Sequence, residues 1–150
     1  MDHSILIAAD PSENALRAVD YVGRVMHCHS NVRITLLNVI KGPSPDILPD
    51  EDEREVYVQR KRSEMLAMLE EISRRLTAFG IEGTKMCFKT EVCSENASIA
   101  QRILQEHQEG GYDTIVVGRR GMSKKEEFLF GSVSSKVVRE ARNCTVWVVE

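Results

Sequence analysis

The chain has 150 residues, with 20 Lys+Arg and 23 Asp+Glu that give a net charge of −3. This length suits one domain, with a core large enough to fold without disulfides or metals, and we expect a single domain over residues 1–150. The acidic balance argues against nucleic acid as a partner, and no apolar run approaches the ~20 residues of a membrane span. The first residues lack the basic and apolar regions of a secretory signal, so we expect a cytoplasmic protein.

The cysteines predict a reduced protein. Cys28, Cys87, Cys93 and Cys144 show no CxxC spacing, which is typical of thiols that are mostly packed in the fold. Histidines flank the first of them, but no second ligand pair stands at a suitable distance along the chain. We therefore predict no metal site.

Apolar segments alternate with segments of helical periodicity along the whole chain. In chain order they predict a strand at 5–9, a helix at 12–28, a strand at 34–40, a long helix after Pro49 that stops at Gly80, a strand near 83–90, a helix capped by Ser94 and ended by Gly110 and Gly111, a strand at 114–117, a helix marked by Val133, Val137 and Ala141, and a strand at 145–149.

This alternation predicts an α/β fold. Buried strands joined by helical crossovers form a parallel sheet with helices on both faces. We predict a doubly wound five-stranded parallel sheet with strand order 3-2-1-4-5. Ligands of such sheets bind beyond the carboxyl ends of the strands, where the winding reverses. Asp10 follows the first strand and Gly118 ends the fourth, so we expect both at this position.

A glycine motif of spacing G-x2-G-x9-G-S links the fourth strand to the fourth helix. It consists of Gly118, Gly121, Gly131 and Ser132. Glycines let the backbone approach a ligand closely, and the start of a helix attracts anions, so the motif predicts a phosphate site. Arg119 and Arg120 could reach the same phosphates, or could simply be solvated.

Two capping alternatives accompany this interpretation. Ser132 could be an ordinary N-cap of the fourth helix within a loop that binds nothing. Asp10 stands before Pro11, and a cap followed by proline at the first helical position is a common helix start. A cap uses one carboxylate oxygen, so Asp10 could still contact a ligand with the other.

The sequence contains no nucleotide motif of another class and no catalytic set. G-x4-GK[ST] and GxGxxG are both absent. Asp113 precedes the fourth strand rather than following it, which is the wrong end for a magnesium ligand. No histidine partners Ser132 or a cysteine in any motif, so we predict a binding protein with at most slow hydrolysis of a bound triphosphate.

Taken together, these features resemble the universal stress protein family, and in particular its nucleotide-binding branch. The resemblance covers essentially the whole chain: the Asp10 turn, the Pro-rich loop before the long helix, the Val-Val-Gly that ends at Gly118, and the Gly-Ser-Val-Ser that begins at Gly131. It implies a Rossmann-like, adenine nucleotide alpha hydrolase-like fold. It also implies a regulatory stress-response protein that binds ATP or another adenine nucleotide, with Mg²⁺ as an optional companion ion.

The resemblance also assigns residues by position. It places Asp10 and the backbone of Val39 at the adenine and ribose side, and Gly118 beside the ribose. It places four residues on the phosphates: Gly121, Gly131, Ser132 and Val133. Pro11 departs from the family, which usually has a small residue there, and would narrow the adenine pocket.

The last strand is predicted to lie at an edge of the sheet. Residues 145–149 contain no charge, proline or glycine that would discourage pairing with another strand. The resemblance likewise implies a homodimer through Thr145 to Val149, and the alternative is an edge covered by the chain's own helices. A nucleotide-independent interaction module, acting through this face or through the acidic segment 46–55, remains the rival function.

Overall fold

Strands and helices alternate along the chain, as the sequence predicted. The computed structural model describes residues 2–119 and 131–150. Its elements are β1 (His3–Ala8), α1 (Glu13–Met26), β2 (Val32–Lys41), α2 (Glu51–Ala78), β3 (Met86–Cys93), α3 (Ile99–Gly110), β4 (Thr114–Gly118), α4 (Ser132–Glu140) and β5 (Thr145–Val149).

The five strands form one parallel sheet in the order β3-β2-β1-β4-β5, which confirms the predicted topology. The chain winds outward from β1 to β3, and then returns to the other side of β1 to form β4 and β5. The winding direction therefore reverses between β1 and β4.

Helices cover both faces of the sheet, and each pair buries its own apolar layer. The layer under α1 and α2 includes Val19, Val22, Met65, Ile72 and Leu76. The layer under α3 and α4 includes Leu6, Leu37, Ile103, Val117 and Val137. The apolar periodicity in the sequence thus identified the buried side of each helix correctly.

The start of α3 differs from the prediction. Ser94 does not cap the helix, because its carbonyl accepts the Ala97 N–H at 3.1 Å in a tight turn. The helix begins one turn later, where the Ser98 side chain accepts the Gln101 N–H. Its end is as predicted, since Gly111 takes the left-handed conformation with φ of 63°.

The expectation of mostly packed cysteines was wrong. Cys28 and Cys87 are exposed, whereas Cys93 and Cys144 are partly buried, and all four are free thiols. Cys28 lies just beyond the end of α1, and Cys87 lies near the start of the edge strand β3. Among the described residues, no helix is long and apolar enough to cross a bilayer.

Candidate functional site

The candidate site lies at the carboxyl ends of β1, β2 and β4. Two residues beyond the last paired residues of β1 and β4, Ala9 lies level with Gly118. Two residues beyond the last paired residues of β1 and β2, Asp10 lies level with Val39. The sheet therefore brings the residues assigned to the adenine and ribose side to one level at the switch point.

The turn after β1 is built by Ser12 rather than by Asp10. Ser12 is the N-cap of α1, and its side chain accepts the Ala15 N–H at 3.4 Å. Its hydroxyl donates to the Asp10 carboxylate, and its N–H donates to the Asp10 carbonyl at 2.8 Å. The alternative in which Asp10 caps α1 was wrong, because the N-cap lies two residues later. The acidic Glu13 in the first helical turn was the signal that favoured Ser12.

The start of α4 also differs from the ordinary-cap alternative. Gly131 is the N-cap, no side chain caps the helix, and Ser132 is an exposed first helical residue. Gly131 has φ of −67° and ψ of 164°, a conformation that any residue adopts. Its backbone therefore does not require glycine. A glycine here adds no side chain beside the first amides of the helix, which lack intrahelical acceptors and suit an anion.

Arg119 ties this helix start to the sheet. Its carbonyl accepts the Gly131 N–H at 2.8 Å and the buried Ser134 hydroxyl at 3.0 Å. Its own N–H donates to the Val149 carbonyl at 2.7 Å, and its guanidinium pairs with Glu150 at 2.5 Å. The two ends of segment 120–130 are thereby pinned together.

Sequence reasoning missed the positioning role of Ser134. A serine three residues into the helix, directly after Gly-Ser-Val, was the available signal. Two of the predicted residues, Gly121 and Arg120, lie outside the described residues, so the structure places neither of them.

The described part of the chain offers no ready metal cluster near this end of the sheet. No group of three or more His, Cys, Asp or Glu side chains there is arranged to hold an ion. Asp113 lies at the opposite, amino end, where its carboxylate accepts the Ser4 N–H at 2.9 Å. This position agrees with its place before β4 in the sequence.

A second polar group, here called the Glu106 cluster, lies between β3 and α3. The Glu106 carboxylate is only 3% exposed and accepts from Lys89 Nζ at 2.5 Å, Arg102 Nη2 at 3.1 Å and the Tyr112 hydroxyl at 3.1 Å. Arg102 also makes a two-pronged contact with Glu91, the fifth member. Two positive and two negative charges thus compensate one another.

Opposing effects set the pKa of Glu106. Burial acts to raise the pKa, but the hydrogen bonds from Lys89 and Tyr112 and the positive charges of Lys89 and Arg102 outweigh it. The pKa of Glu106 therefore lies below its usual range. The hydrogen bond to Glu106 in turn raises the pKa of Lys89. Each shift favours the charged form, as expected of a structural ion pair.

Comparison with known proteins gives matches along the whole chain. The model of the universal stress protein family matches residues 1–150. A putative universal stress protein of Staphylococcus haemolyticus is 29% identical, over 97% of this chain and 83% of the relative. Universal stress protein YxiE of Bacillus subtilis is 28% identical, over 99% of both chains.

Solved structures share the fold. UspA of Lactobacillus plantarum superposes with a TM-score of 0.77 at 20% identity, over 99% of this chain and 97% of the other. A universal stress protein in complex with cAMP gives 0.67 at 23% identity, over 99% and 96%. One from Archaeoglobus fulgidus in complex with dAMP gives 0.61 at 17% identity, over 99% and 98%.

At these identities the structural likeness shows a common fold. The family model adds a sequence match over the whole chain. The chain belongs to the universal stress protein family.

Proposed function

We propose that this chain binds an adenine nucleotide at the carboxyl ends of β1 and β4, with its phosphates at the start of α4. The observation that carries the proposal is the N-cap glycine Gly131, whose ordinary backbone angles do not call for glycine. An absent side chain at the start of a helix, beside the switch point of the sheet, suits close approach of an anion.

The phosphate contacts fall mainly on two residues. The Gly131 N–H already donates to Arg119, so Gly131 contributes space rather than a hydrogen bond. The next amides belong to Ser132 and Val133, and the exposed Ser132 hydroxyl adds a donor. Gly121, from segment 120–130, is assigned to the phosphates by the family motif.

The adenine and ribose side is assigned to Asp10, Val39 and Gly118. A carboxylate has about four acceptor positions, so Asp10 can accept from a ribose hydroxyl as well as from Ser12. The relatives whose structures contain cAMP and dAMP support an adenine nucleotide in this fold. Pro11, next to Asp10, limits the space on the base side.

We assign ATP as the ligand, with Mg²⁺ carried by the nucleotide, and a regulatory role in stress response without catalysis. The family motif supports ATP. The chain acts in the cytoplasm as one nucleotide-binding domain over residues 1–150. It forms a homodimer through β5, which pairs with β4 on one side and lies at an edge of the sheet.

Calorimetry tests the proposed site. Nucleotide-free protein is titrated with ATP, AMP and cAMP, and nucleotide that leaves the denatured protein is identified by mass spectrometry. Gly131→Val places a side chain over the first amides of α4 and should weaken ATP binding at least about tenfold. Gly83→Val is the matched control, since a side chain added at Gly83 meets nothing within 4 Å.

Three results would contradict the proposal. The first is an absence of heat with every nucleotide and of any co-purifying nucleotide. The second is equal ATP affinity in the two glycine variants, which would favour a nucleotide-independent interaction module. The third is rapid phosphate release that is lost in Ser132→Ala, which would show that the site is catalytic.

A further inference from the structure

The outer edge of β3 carries a self-complementary surface. Within residues 2–119 and 131–150, β3 pairs only with β2, and the Cys93 carbonyl accepts the Gly42 N–H at 3.0 Å on that side. Backbone groups alternate in direction along a strand. The groups of Cys87, Lys89, Glu91 and Cys93 therefore point toward β2, and those of the residues between them point outward.

The side chains of β3 divide by face. Lys89 and Glu91 lie on the side of α3, where Glu106 and Arg102 hold them in place. Phe88 and Val92 lie on the other face and are 39% and 43% exposed. Large apolar side chains on an open strand edge are a template for pairing with another strand.

The order of these residues fits one register. When two copies of β3 pair antiparallel about a two-fold axis at Thr90, Phe88 faces Val92 of the second copy and Lys89 faces its Glu91. Each apolar side chain then meets an apolar one, and each charge meets the opposite charge. An axis at Phe88 sets Lys89 opposite Cys87, and an axis at Val92 sets Glu91 opposite Cys93, so neither register pairs the charges.

Backbone geometry supports the same register. Thr90 points outward, so two copies centred on it exchange N–H and C=O hydrogen bonds. Lys89 and Glu91 then fall at the non-hydrogen-bonded positions, where opposing side chains lie closest. Their existing contacts with α3 hold both charges in position before the second copy arrives.

We propose that this chain associates with a second copy of itself through the outer edge of β3, antiparallel and centred on Thr90. The resulting sheet continues across the two-fold axis. This surface lies at the opposite edge of the sheet from β5 and does not depend on nucleotide binding.

The cysteines give a specific test of the register. The proposed pairing sets Cys87 opposite Cys93 of the second copy at a non-hydrogen-bonded position, with a Cα separation within the range of disulfides. In Cys28→Ser protein, copper–phenanthroline in air removes two electrons and two protons from such a thiol pair. A disulfide-linked dimer joined between Cys87 and Cys93 peptides is expected, and mass spectrometry identifies the linked peptides.

Complementation between two variants separates this arrangement from chance contact. With Cys87→Ser or Cys93→Ser added, each protein alone should lose the cross-link, because each proposed pair then lacks one thiol. An equal mixture should regain it in the mixed dimer, which retains one intact pair. Failure of the mixture to cross-link would overturn the proposal, as would cross-linking of either variant alone through its remaining β3 cysteine.

Sedimentation measures the association without oxidation. Thr90→Pro removes an outward N–H and no hydrogen bond to β2, so it should weaken association through β3 at least about tenfold while leaving the fold intact. Thr145→Lys, at the exposed start of β5, is the control and should leave the cysteine cross-link unchanged. Equal association of the wild type and Thr90→Pro, with no cross-link in either, would show that this edge does not pair.

Discussion

The Glu106 cluster and the carboxyl-end site are both polar regions next to the sheet, but they are completed in different ways. In the cluster, Glu106 finds Lys89, Arg102 and Tyr112 within the chain. At the site, α4 begins without a side-chain cap. Buried polar groups must be hydrogen-bonded or else cost free energy. The Glu106 carboxylate is therefore satisfied within the fold, although Arg102 Nη1 is buried without a hydrogen-bond partner among the described residues. The start of α4, by contrast, is suited to a ligand.

The largest expected effect is a loss of folding stability when the Glu106 cluster is broken. Glu106→Gln removes the negative partner of Lys89 within the cluster and one of the two carboxylates that pair with Arg102. Loss of one partner of a buried ion pair costs 3–5 kcal/mol, and we expect about 3 kcal/mol here because Lys89 is 41% exposed. Urea denaturation measures this loss in the free energy of unfolding.

Glu109→Gln is the control for that measurement. Glu109 is exposed on the same helix, accepts a surface hydrogen bond from Gln105 at 2.7 Å, and acts on Arg102 only through its charge, as the last of the contributions that raise the pKa of Arg102. Its substitution should change the free energy of unfolding by less than about 0.5 kcal/mol. Equal effects of the two variants would show that the Glu106 cluster does not stabilise the fold. ATP affinity of the folded fraction should not change in either variant.

The next largest effect is a loss of ATP affinity at the start of α4. Ser132→Ala removes an exposed hydroxyl beside the proposed phosphates and should weaken ATP binding at least about tenfold, the lower end of what a hydrogen bond to a charged group contributes. Stability should stay within about 0.5 kcal/mol of the wild type, since no side chain caps α4. Calorimetry and urea denaturation of the same preparation measure both quantities. A loss of stability without a loss of affinity would show that Ser132 stabilises α4 and does not bind phosphate.

Asp10→Asn tests the ribose side, with a smaller expected effect. The amide keeps one oxygen that can accept from the Ser12 hydroxyl, so the turn should persist. Loss of the charge should weaken binding of ATP by about threefold to fivefold, and binding of a 2′,3′-dideoxy analogue by less. If both nucleotides lose affinity equally, Asp10 does not contact the ribose hydroxyls.

The pH dependence of stability gives the smallest and most specific effect. The pKa of Glu106 is lowered in the folded state. Its contribution to stability is therefore fully present above the pKa that Glu has in the unfolded chain, about 4.3. That contribution is lost as the pH falls through the folded pKa. The difference in unfolding free energy between the wild type and Glu106→Gln should therefore shrink on acidification. A difference that stays constant down to pH 3 would contradict the lowered pKa.

The sequence predicted the strand order through the crossover rule and through Asp10 and Gly118 at two strand ends. It predicted the buried faces of the helices and the end of α3 because apolar periodicity and Gly111 determine them locally. It was less successful where two neighbouring residues compete for one role. Asp10 and Ser12 are both good caps, as are Ser94 and Ser98, and the choice depends on how many residues the turn needs. Gly131 or Ser132 presents the same problem at α4.

The Glu106 cluster was beyond prediction for a different reason. Its members lie on β3, α3 and the segment before β4, up to 23 positions apart between Lys89 and Tyr112. No periodic pattern relates charges at such separations. Only the packing of α3 against an edge strand brings them into contact.

Arg119 gives the site a route to the rest of the molecule. The Arg119 carbonyl accepts the Gly131 N–H and the Ser134 hydroxyl, which both belong to the start of α4. The Arg119 N–H donates to the carbonyl of Val149, the last residue of β5. If the proposed nucleotide draws the start of α4 toward itself, it pulls on this peptide, which is two hydrogen bonds from β5. A ligand at the proposed site would therefore act on the same edge of the sheet as the proposed β5 interface.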